Sequence, residues 1–342
     1  MLKILGRNPS GSFKTKVAHS PNFRNGKFTN IAETVMLAKE AKVHHFISDL
    51  IFAKSNRKPS GVIPSVKTNL NQFNNDEVNI TWFGHSSYHI YINGKHILVD
   101  PVFSGHASPF SFAVKAFNGS NVYGADDFNT VDVLLLTHDH YDHLDYSTLV
   151  NLKTKIKSIY CSLGVASHLH YWGFNLSVIH ELDWWETVVI DDLKLTATPS
   201  RHFSGRSFKR AQTLWSSFVL QSDKHNLFLG GDSGYGDHFK EIGSKFKSFD
   251  IAILECGQYN HKWPLIHMTP EQTVQANIDL NSKVLFPVHW GKFALAYHPW
   301  NEPIARAITE AKNLNVTCTT PLIGETIKLD NHYPDSQWWS QL

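Results

Sequence analysis

The segment Thr137-His138-Asp139-His140-Tyr141-Asp142-His143-Leu144-Asp145 sets three imidazoles and a carboxylate within six positions, directly after the apolar run Val133–Leu136. In an extended segment, residues two apart project to the same side, so His138 and His140 can grip one cation. Asp142 and His143 lie one turn further on and can reach a second. Imidazole nitrogen and carboxylate oxygen both bind zinc at about 2.0–2.2 Å. The alternative is four solvated residues in a polar loop. One loop cannot enclose two ions, so further ligands must arrive from other strand ends. His202 follows the apolar run 193–197, Asp232 follows 226–229 and is flanked by Gly231 and Gly234, and His289 follows 284–286. Each alone reads as a satisfied structural residue; together they put His, Asp and His at matching strand ends.

Two divalent cations held ~3.5–4 Å apart share a water and lower its pKa from about 15.7 toward about 7. The bridging hydroxide is then a nucleophile at neutral pH, needing neither serine nor cysteine. It would attack an ester phosphorus or a carbonyl carbon whose oxygen a metal polarises. Leaving-group protonation requires another group. His267, just before the helix start Thr269-Pro270, is the candidate for proton donation or substrate contact, with capping as its alternative role. The catalytic candidates are therefore Asp142 and His267. His85, Arg201 and Arg206 are candidate substrate contacts, the arginines as planar donors to a phosphate or else as loop anchors. Asp139 and Asp145 are candidates for orienting the imidazole N–H groups.

The elements that must position these side chains follow from periodicity. Short β-rich runs at 78–83, 88–92 and 96–99 predict a meander, with Asn93-Gly94 as a hairpin turn. The continuous apolar run Val133–Leu136 predicts a strand buried on both faces. Further strands are expected at 158–161, 187–190, 193–197, 217–221, 226–229, 251–254 and 284–287, and helices at 165–171, 237–245, 270–280 and 302–313. Two packed sheets with helices outside accommodate this order. Ahead of them, residues 1–28 read as an irregular arm and 30–53 as a helix with apolar Ile31, Val35, Ala38, Phe46, Leu50 and Ile51. Residues 55–76 read as a linker. The expected division is 1–76, arm, helix and linker, and 77–342, the catalytic domain.

Composition confines the class. The chain has 342 residues, 42% hydrophobic and 18% charged, which describes a globular protein with an ample core. No run approaches the ~20 apolar residues of a membrane span, and the first residues lack a secretory signal. Cys161, Cys256 and Cys318 are far apart and in no CxxC spacing, which fits a reducing, cytoplasmic compartment and excludes a cysteine zinc knuckle. Net charge is +2, but residues 1–70 hold twelve Lys/Arg against three Asp/Glu, and the remainder twenty against twenty-seven. A basic leading segment suits an anionic membrane surface, or else wraps the acidic body. With the helix 30–53 and Trp172, Trp184 and Trp185, it makes peripheral contact at the inner membrane surface an expectation.

The order HxHxDH, His, Asp, His resembles the metallo-β-lactamase superfamily. The segments 81–87, 137–145, 201–206, 231–235 and His289-Trp290-Gly291-Lys292-Phe293-Ala294-Leu295 look like its branch of N-acyl phosphatidylethanolamine-hydrolysing phospholipase D and RomA-like bacterial proteins. The resemblance runs from about Pro21 to Glu302. It implies an α/β fold, the four-layer αββα sandwich, and two Zn2+ per chain, with Mn2+ or Fe as substitutes. By that match His138, His140 and His202 hold one ion, Asp142, His143 and His289 the other, and Asp232 bridges them. It further implies a phosphodiesterase acting on a small-molecule or phospholipid substrate on the phospholipase D side. This chain departs from the branch at 255–263 and at Ile266, where the branch has glutamine. A sugar-phosphate lactonase and a metal-stabilised binding protein without turnover are the competing expectations. No nucleic-acid partner is expected, because 232–289 is too short for a binding insertion; an oligomer is left open.

Overall fold

The computed structural model describes residues 2–38 and 56–342. Two seven-stranded sheets carry the chain. One runs β16-β3-β4-β5-β6-β7-β8, with β3 Asn79–Trp82, β4 Tyr88–Ile92, β5 Lys95–Val99, β6 Val131–Leu136, β7 Ile156–Ser162, β8 Ile179–Leu182 and β16 Thr326–Lys328. The other runs β15-β14-β13-β12-β11-β10-β9, with β9 Thr187–Ile190, β10 Leu193–Pro199, β11 Ser216–Gln221, β12 Asn226–Leu229, β13 Ile251–Glu255, β14 Val284–Val288 and β15 Thr317–Cys318. Each sheet begins as an antiparallel meander and turns parallel, at β5–β8 and at β12–β15. The Asn93-Gly94 turn joins β4 to β5 with both residues at positive φ, the geometry of a type I′ hairpin.

Side chains alternate across each sheet, so every strand feeds two layers. Val133 and Leu135 of β6 face inward to meet Leu195, Phe218, Leu229 and Ile253 of the other sheet. Leu134 and Leu136 face outward, onto Leu149, Leu152 and Leu169 of α2 (Tyr146–Leu152) and α3 (Ala166–Tyr171). On the opposite outer face, Phe228, Ala252 and Leu285 pack against Phe239, Val274 and Ala311. These belong to α4 (His238–Phe246), α5 (Pro270–Asp279) and α6 (Glu302–Asn313). The order of layers is helix, sheet, sheet, helix, as the αββα expectation requires.

The leading segment differs from its sequence reading. Ser12–Ala18 forms a short helix, α1, within the arm read as irregular, followed by the two-residue strands β1 Phe23–Arg24 and β2 Lys27–Phe28. Val17 and Phe28 are buried with Trp184, Leu214 and Trp215, so this arm is docked by apolar contact. Of the expected helix 30–53, residues 30–38 are not helical, and 39–55 lie outside the described residues. Residues 30–38 are instead held by side-chain bonds to the domain, Asn30 to His202 and Arg201 to Thr34, which compete with a helical ladder. Trp172 and Trp184 are buried and Trp185 is half-buried under Lys245, so these tryptophans form no exposed aromatic belt. Among the described residues no helix is long and apolar enough to cross a membrane.

Candidate metal centre

The centre gathers where strands of both sheets end. β6 releases His138, His140, Asp142 and His143; β10 leads to His202, β12 to Asp232 and β14 to His289. After His140 the chain makes one helical turn, with His143 and Leu144 both donating their N–H groups to the His140 carbonyl. That turn swings Asp142 and His143 away from His138 and His140. Gly231 keeps a positive φ before Asp232, and a Cβ there would sit 3.0 Å from Thr137 Cβ, so the Asp232 loop can come this close only without a side chain at 231.

All seven sequence-predicted ligands come together, in two adjoining groups, and Asp232 and His289 form a third with His267. His138, His140, His202 and Asp232 offer ligand atoms all within 4.8 Å of one another, as do Asp142, His143, His289 and His85. Asp232 stands between the groups. Its Oδ1 is 3.2 Å from His143 Nε2 and 3.2 Å from His289 Nδ1, and its Oδ2 is 3.8 Å from His138 Nε2 and 3.7 Å from His202 Nε2.

Hydrogen bonding behind the rings tests whether cations fit. Thr137 Oγ1 donates to Asp100 and therefore accepts from His138 Nδ1, leaving His138 Nε2 with a bare lone pair. His202 Nδ1 donates to the Ile266 carbonyl at 2.8 Å and His143 Nδ1 to Asp100 at 2.8 Å, so both Nε2 atoms are likewise bare. His138 Nε2 and His202 Nε2 each approach His140 Nδ1, at 3.0 and 3.2 Å. A hydrogen on His140 Nδ1 can point squarely at only one of the two facing lone pairs, whereas a cation between the three nitrogens would satisfy them together. In the other group His143 Nε2, His289 Nε2 and Asp232 Oδ1 are buried without any hydrogen-bond partner. Buried polar atoms rarely go unsatisfied without a ligand to receive them. The donors are imidazole and carboxylate, the set zinc and its neighbours take. The cluster could bind a dinuclear metal site.

Burial alone would raise the Asp232 pKa, but the adjacent imidazoles, His143 foremost, hold that carboxyl well below its ordinary range. Burial lowers His138, His202 and His289 well below 6.5, so these imidazoles are neutral at pH 7 and free to coordinate, whereas burial of His143 is outweighed by Asp232 and Asp142, which raise it well above that value in the absence of a cation.

Four expectations about surrounding residues are corrected. His85 is fully buried, with Nε2 2.9 Å from Asp142 Oδ2, so it orients that carboxylate instead of contacting substrate. Its backbone crosses that of His289: His85 N–H donates to the Trp290 carbonyl and His289 N–H to the His85 carbonyl, both residues at positive φ. Arg206 is buried, donating to the carbonyls of Asp139, Leu144 and Ile4 at 2.7–2.8 Å and stacking 4.1 Å over Tyr141. Arg201 donates to Thr34 Oγ1 and to the carbonyls of Glu33 and Tyr235. Both arginines thus spend donors on carbonyls and a hydroxyl of the protein, with Arg206 Nε left buried without a partner, an arrangement that favours the loop-anchor role. Asp139 and Asp145 orient no metal-facing imidazole: Asp139 meets His168, Thr213 and the Gly205 N–H, and Asp145 caps α2 at Ser147 and holds Ser104 and Thr148. That orienting role falls to Asp100, Thr137, Ser86 (2.9 Å from His289 Nδ1) and the Ile266 carbonyl.

Beside the cluster lies a pocket of about 370 Å³ that reaches His140, Asp142, His202, Asp232, His267 and His289. Met36, Leu37, Phe203, Trp263, Ile266 and Leu295 give it an apolar wall, and the exposed Arg210 stands at its edge over Phe203. His267 is placed by the capping box of α5, in which Thr269 and Gln272 bond reciprocally around Pro270. Its Nδ1 meets Glu255 Oε2 at 2.9 Å; burial would lower the imidazole, but Glu255 carries it up to about 9, while burial lifts the Glu255 carboxyl to about 7. Asp100, Glu255 and Arg210 were not among the sequence candidates. The two carboxylates follow or end strands β5 and β13, the kind of position that had already singled out the ligands.

Lys292 anchors the floor. Fully buried, its ammonium donates to the carbonyls of Phe83 and Val102, tying the His85 and His289 loops to the first sheet. Burial drops its pKa from 10.5 to about 7. Between those values the unfolded chain takes up a proton that the folded chain does not, so stability rises with pH from about 7 to 10.5. In Lys292→Met this rise flattens, as urea midpoints measured across that range will register; an unchanged slope would contradict the assignment.

The comparisons with known proteins agree with this architecture. Residues 95–290, more than half of the chain, match the family described as "Beta-lactamase superfamily domain". An uncharacterized protein of Mycobacterium tuberculosis is 35% identical over 345 residues, covering 96% of this chain and 90% of its own length. The mitochondrial N-acyl-phosphatidylethanolamine-hydrolyzing phospholipase D of Saccharomyces cerevisiae is 31% identical over 259 residues, 72% of this chain and 55% of that protein, so the chain spans about half of that relative. Outer membrane protein RomA of Klebsiella pneumoniae is 48% identical over 102 residues, 30% of this chain and 77% of that protein. Among solved structures, Igni18, a metallo hydrolase from Ignicoccus hospitalis, superposes with a TM-score of 0.58 at 19% identity, covering 75% of this chain and all of that one, a likeness of fold. With the whole cluster from His138 to His289 inside the matched stretch, the chain belongs to the beta-lactamase superfamily and has the metallo-β-lactamase fold.

Proposed function

We propose that the protein is a zinc-dependent phosphodiesterase that cleaves a phospholipid-like substrate on the head-group side. One observation carries this reading: the pocket that opens on the His/Asp cluster pairs an apolar wall with the cationic Arg210. An acyl-bearing, anionic phosphodiester is complementary to both. The name of the yeast relative supports the same substrate class.

His138, His140 and His202 would hold one cation, Asp142, His143 and His289 the other, with Asp232 between them. When bound, such a pair supplies Lewis-acid polarisation of an ester oxygen and acidifies water toward a pKa of about 7. The protein's own residues do the rest. Arg210 receives the phosphate charge, and Met36, Leu37 and Leu295 exclude water from the apolar portion. Glu255 engages His267 Nδ1 and keeps the ring protonated, leaving Nε2–H to protonate the departing head-group oxygen. Water adds to phosphorus, the phosphorus–oxygen bond to the head group breaks, and a phosphatidic acid and an alcohol result. The arm 1–76 and the domain 77–342 act as one unit in this reading. The free cysteines support a cytoplasmic setting, and exposed Ile31, Val35 and Leu37, the last at the pocket, support peripheral contact with a membrane surface.

The test is metal analysis of the purified protein, then turnover of phospholipid, soluble phosphodiester and lactone substrates after zinc loading. Two zinc ions per chain and phosphatidic acid release are expected, with Arg210→Gln raising KM about 10–150-fold at unchanged kcat, as loss of one charged contact of ~1.5–3 kcal/mol implies. Lactone opening with phospholipids untouched would overturn the substrate.

A further inference from the structure

His202 lies in an irregular loop, the segment 200–204 between β10 and β11, where no ladder secures its backbone. Among the described residues its N–H and its carbonyl each have one hydrogen-bond partner, and both are the side chain of Asn30. Asn30 Oδ1 accepts from His202 N–H at 3.1 Å, and Asn30 Nδ2 donates to the His202 carbonyl at 2.9 Å. The amide thus imitates a neighbouring peptide unit, satisfying donor and acceptor of a single residue. Its own orientation is fixed by Trp215, whose indole Nε1 donates to the same Oδ1 at 3.0 Å.

Asn30 belongs to the leading segment, far outside the stretch 95–290 that carries the family match. That segment is held on both sides of Asn30. Phe28 N–H donates to the Ala211 carbonyl and its ring is buried beside Trp215. Downstream, Arg201 holds Glu33 and Thr34, and Ala38 N–H donates to the Lys262 carbonyl at 2.7 Å. Between those ties the segment delivers Met36 and Leu37 to the pocket.

We propose that Asn30 is a positioning residue for His202, and that the leading segment is a working part of the metal centre. The proposal rests on the reading of His202 as a metal ligand. The ring of His202 can face His138 and His140 only if its backbone is held at the right depth and its Nδ1 is engaged by Ile266; Asn30 supplies the first condition. Loss of the clamp weakens the ion shared by His138, His140 and His202 and spares the ion at Asp142, His143 and His289. A role in folding alone would weaken both together.

Zinc titration against a chromophoric chelator separates the two cases. In Asn30→Ala one of two sites is expected to weaken about 10–100-fold, the range seen when a group behind a ligand is removed, while the other keeps its affinity. Asn30→Asp keeps the acceptor for His202 N–H and Trp215 but loses the donor, so about half of that loss on a logarithmic scale is expected; it also serves if the alanine variant does not fold. Thr34→Ala, which removes a tie of the same segment to Arg201 without touching His202, leaves both affinities unchanged. Two wild-type affinities in Asn30→Ala, or equal weakening of both sites, would overturn the proposal while leaving the ligand assignment intact. If His202→Ala itself binds two zinc ions as tightly as the wild type, the ligand reading falls and the proposal with it.

Discussion

His140→Ala leaves a protein that folds but holds one metal ion fewer per chain and loses at least about 10³-fold in turnover. His140 Nδ1 lies within 3.0 and 3.2 Å of the facing nitrogens of His138 and His202, so it completes the half of the cluster that cannot close without it. Several kcal/mol of transition-state stabilisation rest on a cation placed there, and each 1.36 kcal/mol is about tenfold in rate. The side chain is only half-buried, so the thermal midpoint of the metal-free protein should move little. Metal content, turnover and melting of the stripped protein measure the three parts. Undiminished turnover with two ions bound would remove the assigned chemistry.

The second large effect concerns stability. Arg206→Ala removes donors to the buried carbonyls of Asp139 and Leu144 and to the part-buried one of Ile4, and a positive charge near Asp139, whose carboxyl His168, His140 and Arg206 hold far below its usual range despite burial. A buried acceptor left without its donor costs about 1–3 kcal/mol, so the loss of several such bonds at once should total about 3–5 kcal/mol. Because Arg206 ties the Asp139–Leu144 loop to Ile4, the loss should also loosen the leading arm, exposing it to protease near Gly6-Arg7. A urea midpoint within about 1 kcal/mol of wild type would show that the guanidinium is dispensable.

The strands and the membership of the His/Asp cluster were legible in the sequence because both obey local rules. Buried parallel strands write themselves as apolar runs, and ligands follow where such runs stop. β4, β9, β12 and α6 fall where the pattern puts them. The helix α2 was missed since its seven residues follow the metal loop at once; Asp145, read as an imidazole partner, is its cap. Residues that act through distant neighbours were not legible. Asp100 serves His143 across 43 positions and Asn30 serves His202 across 172, and no periodicity links them. Arg201 and Arg206 looked available because an exposed and a buried arginine read alike in a sequence; Arg210, four residues on, is the one at the pocket. Strands β15 and β16, of two and three residues, are too short to carry a pattern.

The crossed backbone bonds of His85 and His289 join the end of a strand in one sheet to the end of a strand in the other. Each residue is held in a left-handed conformation that costs roughly 1–3 kcal/mol outside glycine, a strain tolerated only where surroundings over-determine it. Sliding one sheet past the other would break both bonds at once, so the sandwich is latched at the edge where its chemistry sits. Slack elsewhere in the sandwich is thereby kept from reaching the spacing of the His/Asp cluster.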